Sequence, residues 1–182
     1  MTLFQQHTIE SAPADSHNLL NSAKTKYGFV PNLFANMAES PALLEGYWVL
    51  TQIFNKTTLS ETEKQIIMMT VNRLNQCDYC MAAHTTIAKA AVSADVLLAL
   101  RNDTPIDNTK LETLRQFTSK MVVNRGWPTP AEVAALVAVG YSAQTAFDVV
   151  LGISLKTMSN YTTSLAGTSL DAVFSADVWQ AA

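Results

Sequence analysis

"SETEKQIIMMTVNRLNQCDYCMAAH", residues 60–84, opens on a helix start and closes on both cysteines of the chain and one of its three histidines. Ser60 with Glu63 three residues later is a capping box, in which hydroxyl and carboxylate satisfy backbone N–H groups reciprocally. Ile66, Ile67, Met68, Met69, Val71 and Leu74 then place apolar side chains on most sides of the helix, a pattern suited to central burial. Asn75-Gln76 ends it, and "CDYCMAAHTTIAKAA" (77–91) has the composition of the next helix. A buried helix followed by a helix that starts at a thiol pair is the core of the expected fold.

The same signals recur on either side. "SPALLEGYWVLTQIF" (40–54) has Ser40 at the N-cap and Pro41 at the first helical position, where its missing N–H is harmless. "TPAEVAALVAVG" (129–140) combines a capping box, Thr129 with Glu132, with Pro130 and a stop at Gly140. Leu111, Leu114, Phe117 and Met121 form one apolar stripe at helical spacing. Phe147, Leu151, Met158, Tyr161 and Leu165 form another. "KYGFVPN" (26–32) and "RNDTPIDN" (101–108) read as loops, and no hairpin dipeptide or sustained alternation suggests a strand. The expectation is an all-α protein, one domain over residues 1–182.

Composition narrows the function classes. Of 182 residues 48% are apolar and only 15% charged, against about 25% charged in an average soluble domain. A surface so poor in charge suggests cover by other subunits, hence a homo-oligomer. The net charge of −3 without a Lys/Arg cluster argues against nucleic acid and anionic membranes as partners. The richest apolar region, "AALVAVGYSAQTAF" (134–147), is interrupted before it could span a bilayer, and the N-terminus lacks the pattern of a secretory signal. A cytoplasmic protein is expected, and there a close cysteine pair is more often catalytic or metal-binding than structural.

At about 100° per residue, Cys77 and His84 lie nearly in line, with Cys80 about 60° away, so the three share a stripe. Cβ atoms at i and i+3 sit about 5–6 Å apart where a disulfide wants about 3.5–4.5 Å, a bond that a tightened first turn closes with some strain. Such a bond turns over readily and, closing so short a ring, is a poor staple. The helix N-terminus favours Cys77 as the thiolate, while His84, one turn after Cys80, favours Cys80; the spacing leaves both open. Haem attachment needs a histidine where Met81 stands, and a thioredoxin-type site needs a βαβ context. Structural zinc needs a fourth ligand, and His7 and His17 are remote in sequence. No metal or cofactor is therefore expected.

The run 59–84 resembles the alkyl hydroperoxidase D-like (AhpD-like) branch of the carboxymuconolactone decarboxylase family, and so do "YGFVPNLFANMAESPALLEGY" (27–47) and "GYSAQTAFDVVLGISLKTMSNYTTSLAGTSLD" (140–171). The likeness spans residues 26–171, leaving 1–25 as an N-terminal extension. It implies an all-helical fold assembled as trimers or hexamers and a peroxidase of hydrogen peroxide or small organic hydroperoxides. In that reading Cys80 is the peroxidatic thiol, Cys77 resolves its sulfenic acid as a disulfide, and His84 belongs to the proton relay. A dithiol or a lipoylated protein is the implied reductant. The family commonly has a glutamate where this chain has Gln65, which cannot take up a proton. Glu63 is committed to its capping box. Glu45 in the preceding helix is the candidate substitute, expected to be buried with a raised pKa if it takes part. Alternatives are a thiol-disulfide carrier without peroxidase activity, a vestigial scaffold, and the lactone decarboxylation of the family name, which needs no thiol pair. Asp78 and Tyr79 read as outward helix positions or substrate contacts, Trp48 and Trp127 as core or interface anchors.

Overall fold

The computed structural model describes residues 3–180, so the extreme ends of the expected 1–182 domain lie outside it. Among the described residues every regular element is helical. In order they are α1 (His17–Tyr27), α2 (Asn32–Met37), α3 (Pro41–Asn55), α4 (Glu61–Leu74), α5 (Asp78–Ala88), α6 (Ala94–Asn102), α7 (Thr109–Val123), α8 (Pro130–Ala138) and α9 (Ala143–Ala166). Short 3-10 turns at Ala14–Ser16 and Ala172–Asp177 flank them.

The helix starts form as the side chains dictate. Ser40 accepts from Leu43 N–H, and both capping boxes close, Ser60 with Glu63 and Thr129 with Glu132. The loops expected at 26–32 and 101–108 turn through left-handed residues, Gly28 (φ 83) and Asp103 (φ 58). Among the described residues no single helix is long and apolar enough to cross a membrane.

α4 is the central helix. Lys64 through Asn72 are buried without interruption, because α5, α6, α7 and α9 all pack on it. The expected α7 stripe faces inward, with Leu114, Phe117 and Met121 buried. The α9 stripe does not. Phe147, Tyr161 and Leu165 are 75%, 64% and 68% exposed, Leu151 and Met158 pack only partly on the core, and beside Val149 and Leu155 the buried side carries Thr145, Gly152, Lys156, Ser159, Asn160 and Thr163. A polar row faces the core because its partners are polar, as the site makes plain. At Gly152 the helix comes so close that an added Cβ would stand 2.7 Å from Ile67 Cγ2 and 3.0 Å from the Phe54 ring.

Candidate active site

The chain enters the site through a tight reversal. Cys77 N–H donates to Asn72 O and Gln76 N–H to Arg73 O, both at 2.9 Å, the Schellman pattern at a helix C-terminus. Its left-handed position, usually glycine, is Gln76 with φ 52. Cys77 is thus the N-cap of α5 (φ −92, ψ 92) rather than part of it, and its Sγ accepts from Cys80 N–H at 3.3 Å. The common stripe read from helical spacing is corrected here, because the angular count does not extend to a residue outside the helix. Cys80 and His84 line a cavity of about 480 Å³ together with Gln65, while Cys77 sits behind them against Thr163 Oγ1 at 3.1 Å.

Alongside aliphatic side chains such as Leu33, Met68 and Leu155, six aromatic rings line the cavity: Tyr27, Phe29, Phe34, Tyr47, Tyr79 and Phe174. Edge-on contacts such as Phe34–Tyr47 at 5.6 Å and Tyr79–Phe174 at 6.2 Å hold them. The Tyr79 hydroxyl donates to Asp171 at 2.6 Å, and Asp171 in turn caps Asn32 N–H. Tyr79 is therefore an inward, buried wall residue, not an outward one, whereas Asp78 is exposed. The C-terminal 3-10 turn is tied over α5 by Asp177, which accepts from Lys89 at 2.5 Å and from Thr86 at 2.7 Å.

The two thiols, both free, are electrostatically unlike. Burial resists ionisation of Cys80, but hydrogen bonding from Cys77, the charge of Lys156, and contacts with Asn160 and Ser159 outweigh it and bring its pKa down to about 6. Cys77 is pushed the other way, first because it donates its proton toward Cys80 and then by burial. The helix N-terminus does act on the capping sulfur, through Cys80 N–H, but the proton shared toward Cys80 and burial outweigh it.

Three of the groups that favour the Cys80 thiolate belong to α9. Asn160 is anchored from both sides: its amide donates to Asn72 Oδ1, and its carbonyl accepts from Asn75 Nδ2, each at 2.9 Å. Asn72 also donates to Cys80 O at 3.3 Å. Lys156, 1% exposed, places Nζ 2.9 Å from His84 Nε2, and Gln65 Oε1 lies 2.9 Å from Nδ1. An ammonium has no acceptor, so Nε2 must offer its lone pair; Nδ1 then carries the proton and donates to the Gln65 carbonyl. Burial first, and Lys156 second, hold the His84 pKa well below its usual value, so the ring is neutral.

The sequence-predicted residues divide accordingly. Cys77, Cys80, His84 and Gln65 are brought together. Glu45 is not: it is exposed on α3, outside the cavity wall, and the expected burial is absent. Glu63 accepts from Ser60 N–H and Oγ, as its capping box requires. His7 and His17 bond to Glu39 and to Ala12 O, and among the described residues no group of three or more His, Cys, Asp or Glu is placed to hold a metal. Trp48 is half-buried against Phe34, but Trp127 is 81% exposed and is not a core anchor. Lys156, Ser159, Asn160 and Thr163 were missed. Their signal is the spacing i, i+3, i+4, i+7 of polar residues within an apolar helix.

A model of the carboxymuconolactone decarboxylase family matches residues 41–105, the span from α3 through α6 that holds both cysteines and His84. Solved structures extend the likeness to nearly the whole chain. An alkylhydroperoxidase AhpD core, an uncharacterized peroxidase-related protein from Ralstonia eutropha JMP134, superposes with a TM-score of 0.81 at 21% identity, covering 94% of this chain and 93% of that one. The fold is AhpD-like. A peroxidase-related protein from Silicibacter sp. TM1040 gives 0.78 at 18% identity, covering 94% and 92%. The debrominase Bmp8, in a complex with 2,3,4-tribromopyrrole, gives 0.79 at 18% identity, covering 97% and 96%. No curated protein sequence matches the chain. The AhpD-like fold accounts for the central α4 and the thiol helix beside it; the cavity chemistry rests on this chain's own residues.

Proposed function

We propose that the protein is a thiol-dependent peroxidase that reduces organic hydroperoxides, with Cys80 as the attacking thiol. The observation that carries the reading is the unequal thiol pair: the sulfur on the cavity wall is the acidic one, and its neighbour behind the wall keeps its proton. Cys80 thiolate attacks one peroxide oxygen, the O–O bond breaks, and the sulfur becomes a sulfenic acid while the other oxygen leaves as alcohol after taking a proton. Cys77 then displaces water from that sulfur and forms the disulfide, so that two thiols and one hydroperoxide give disulfide, alcohol and water. A dithiol, free or protein-bound, restores both thiols. His84 and Gln65 orient the site. Glu45, exposed, takes no part.

A cavity of about 480 Å³ walled by aromatic rings favours a bulky organic substrate over hydrogen peroxide. The reduced protein should consume cumene hydroperoxide with loss of both thiols. Cys80→Ser should abolish this, and Cys77→Ser should stop after one equivalent with a dimedone-reactive sulfenic acid. Undiminished consumption by both variants would end the proposal. The aromatic lining also favours a second reading, reduction of a halogenated ring: thiolate takes the halogen, the ring takes a proton, and Cys77 expels halide as the disulfide forms. Bromide release from a bromopyrrole under the same conditions decides between the two.

The exposed Phe147, Tyr161 and Leu165 on α9 and Trp127 before α8 support a homo-oligomer, to be read by sedimentation. Thiols that must be free to turn over suit the cytoplasm.

A further inference from the structure

Two lysines are buried in this fold, and they are treated differently. Lys64, 5% exposed, donates to Glu61 Oε1 at 2.8 Å and to Asn55 O at 2.9 Å, so its charge is answered within its own turn. Lys156, 1% exposed, has the neutral His84 at 2.9 Å, and among the described residues no carboxylate lies within ion-pair distance of it. A buried ammonium is stable only beside a negative charge.

The acidic and basic groups around Lys156 come from every neighbouring element. α3 brings Tyr47, whose hydroxyl burial and Cys80 push up. α4 brings Gln65 and, at the cavity rim, Glu61, already taken by Lys64. α5 brings Cys80, His84 and Tyr79, the last committed to Asp171. Across the cavity, Lys26 stands over the Tyr27 and Trp48 rings at 5.2 and 5.5 Å. Of these groups Cys80 is the one that can ionise without breaking an existing pairing. Lys156 in turn contributes to Cys80 acidity.

We propose that Lys156 is the acid–base group of the site, pairing as ammonium with the Cys80 thiolate and handing its proton to the oxygen that leaves. This rests on Cys80 being the attacking thiol. In the reduced protein the Cys80 proton resides on Lys156 as a thiolate–ammonium pair. Attack breaks the O–O bond; sulfur is oxidised to the sulfenic acid, and the departing alkoxide takes the Lys156 proton and leaves as alcohol. Disulfide formation releases water from the Cys77 proton and the sulfenic hydroxyl, so Lys156 stays a neutral amine while the thiols are oxidised. Re-reduction by a dithiol returns a proton to each sulfur, and Cys80 passes its own back to Lys156. Gln65 then needs no proton affinity. It fixes the His84 tautomer whose bare Nε2 holds the lysine.

The test needs no peroxide, so it stands or falls apart from the peroxidase reading. Lys156→Met keeps chain length and removes the charge. Followed by ultraviolet thiolate absorbance against pH, it should move the Cys80 midpoint up by at least about one unit, a tenfold loss of thiolate below the new midpoint. An unmoved midpoint in a folded variant overturns the proposal. Should Lys156→Met fail to fold, Lys156→Gln, which also lacks the charge but can still donate to His84 Nε2, is read in the same way, and an unmoved Cys80 midpoint there overturns the proposal.

Discussion

The cavity has two working walls of unlike origin. The α5 wall carries Cys80 and His84, with Cys77 behind it, and lies inside the segment that matches the family model, residues 41–105. The α9 wall presents Lys156 to the cavity, backed by Ser159 and Asn160, and lies outside that segment. One wall supplies reactive atoms, and the other helps decide which of them is charged. A cysteine pair alone is symmetric chemistry; what separates Cys80 from Cys77 is the hydrogen bond that Cys77 gives it, backed by Lys156, Asn160 and Ser159 of α9, whereas Cys77 has only Thr163 from that helix.

Breaking the α9 wall should therefore disturb α5. Asn160→Ala removes the side chain that joins Asn72 to Asn75 and leaves the buried Asn72 Oδ1 and the part-buried Asn75 Nδ2 without this partner. It should cost about 2–4 kcal/mol by denaturant melting and also raise the Cys80 midpoint, the second effect being the one a packing role would not produce. Gly152→Ala attacks the same wall without touching its chemistry. Its Cβ would meet Ile67 and Phe54, so a loss of about 1–3 kcal/mol is expected with Cys80 acidity unchanged. The smallest effect has the opposite sign and belongs to the α5 side. Gln76→Gly relieves a left-handed residue at the Schellman turn and should stabilise the fold by about 1 kcal/mol, read as a rise in melting temperature. A destabilised glycine variant would mean that the Gln76 side chain does something its backbone does not.

The sequence spoke unevenly about these walls. Ser40, Ser60–Glu63 and Thr129–Glu132 act locally, through bonds to N–H groups three residues away, and were legible for that reason. The α7 stripe was legible because its core partners are apolar. α9 was misread because polar side chains share its buried face with Val149 and Leu155 while Phe147, Tyr161 and Leu165 are exposed, and the reason lies in α4 and α5 rather than in α9 itself. Cys77 was placed on a helix it only caps, since a cap is fixed by backbone torsion and not by spacing. Glu45 looked available because sequence distance says nothing about which side of α3 faces the cavity.

The most direct test of the unequal pair is to alkylate the parent protein with limiting iodoacetamide across pH and locate the modification by fragment-ion mass spectrometry. A thiol whose folded pKa lies near 6 is largely thiolate at neutral pH and loses reactivity as the pH falls through that value. Modification should fall on Cys80 with a midpoint close to pH 6, while Cys77 stays unmodified at neutral pH. First modification at Cys77, or a Cys80 midpoint at the ordinary thiol value of about 8.5, would contradict the account.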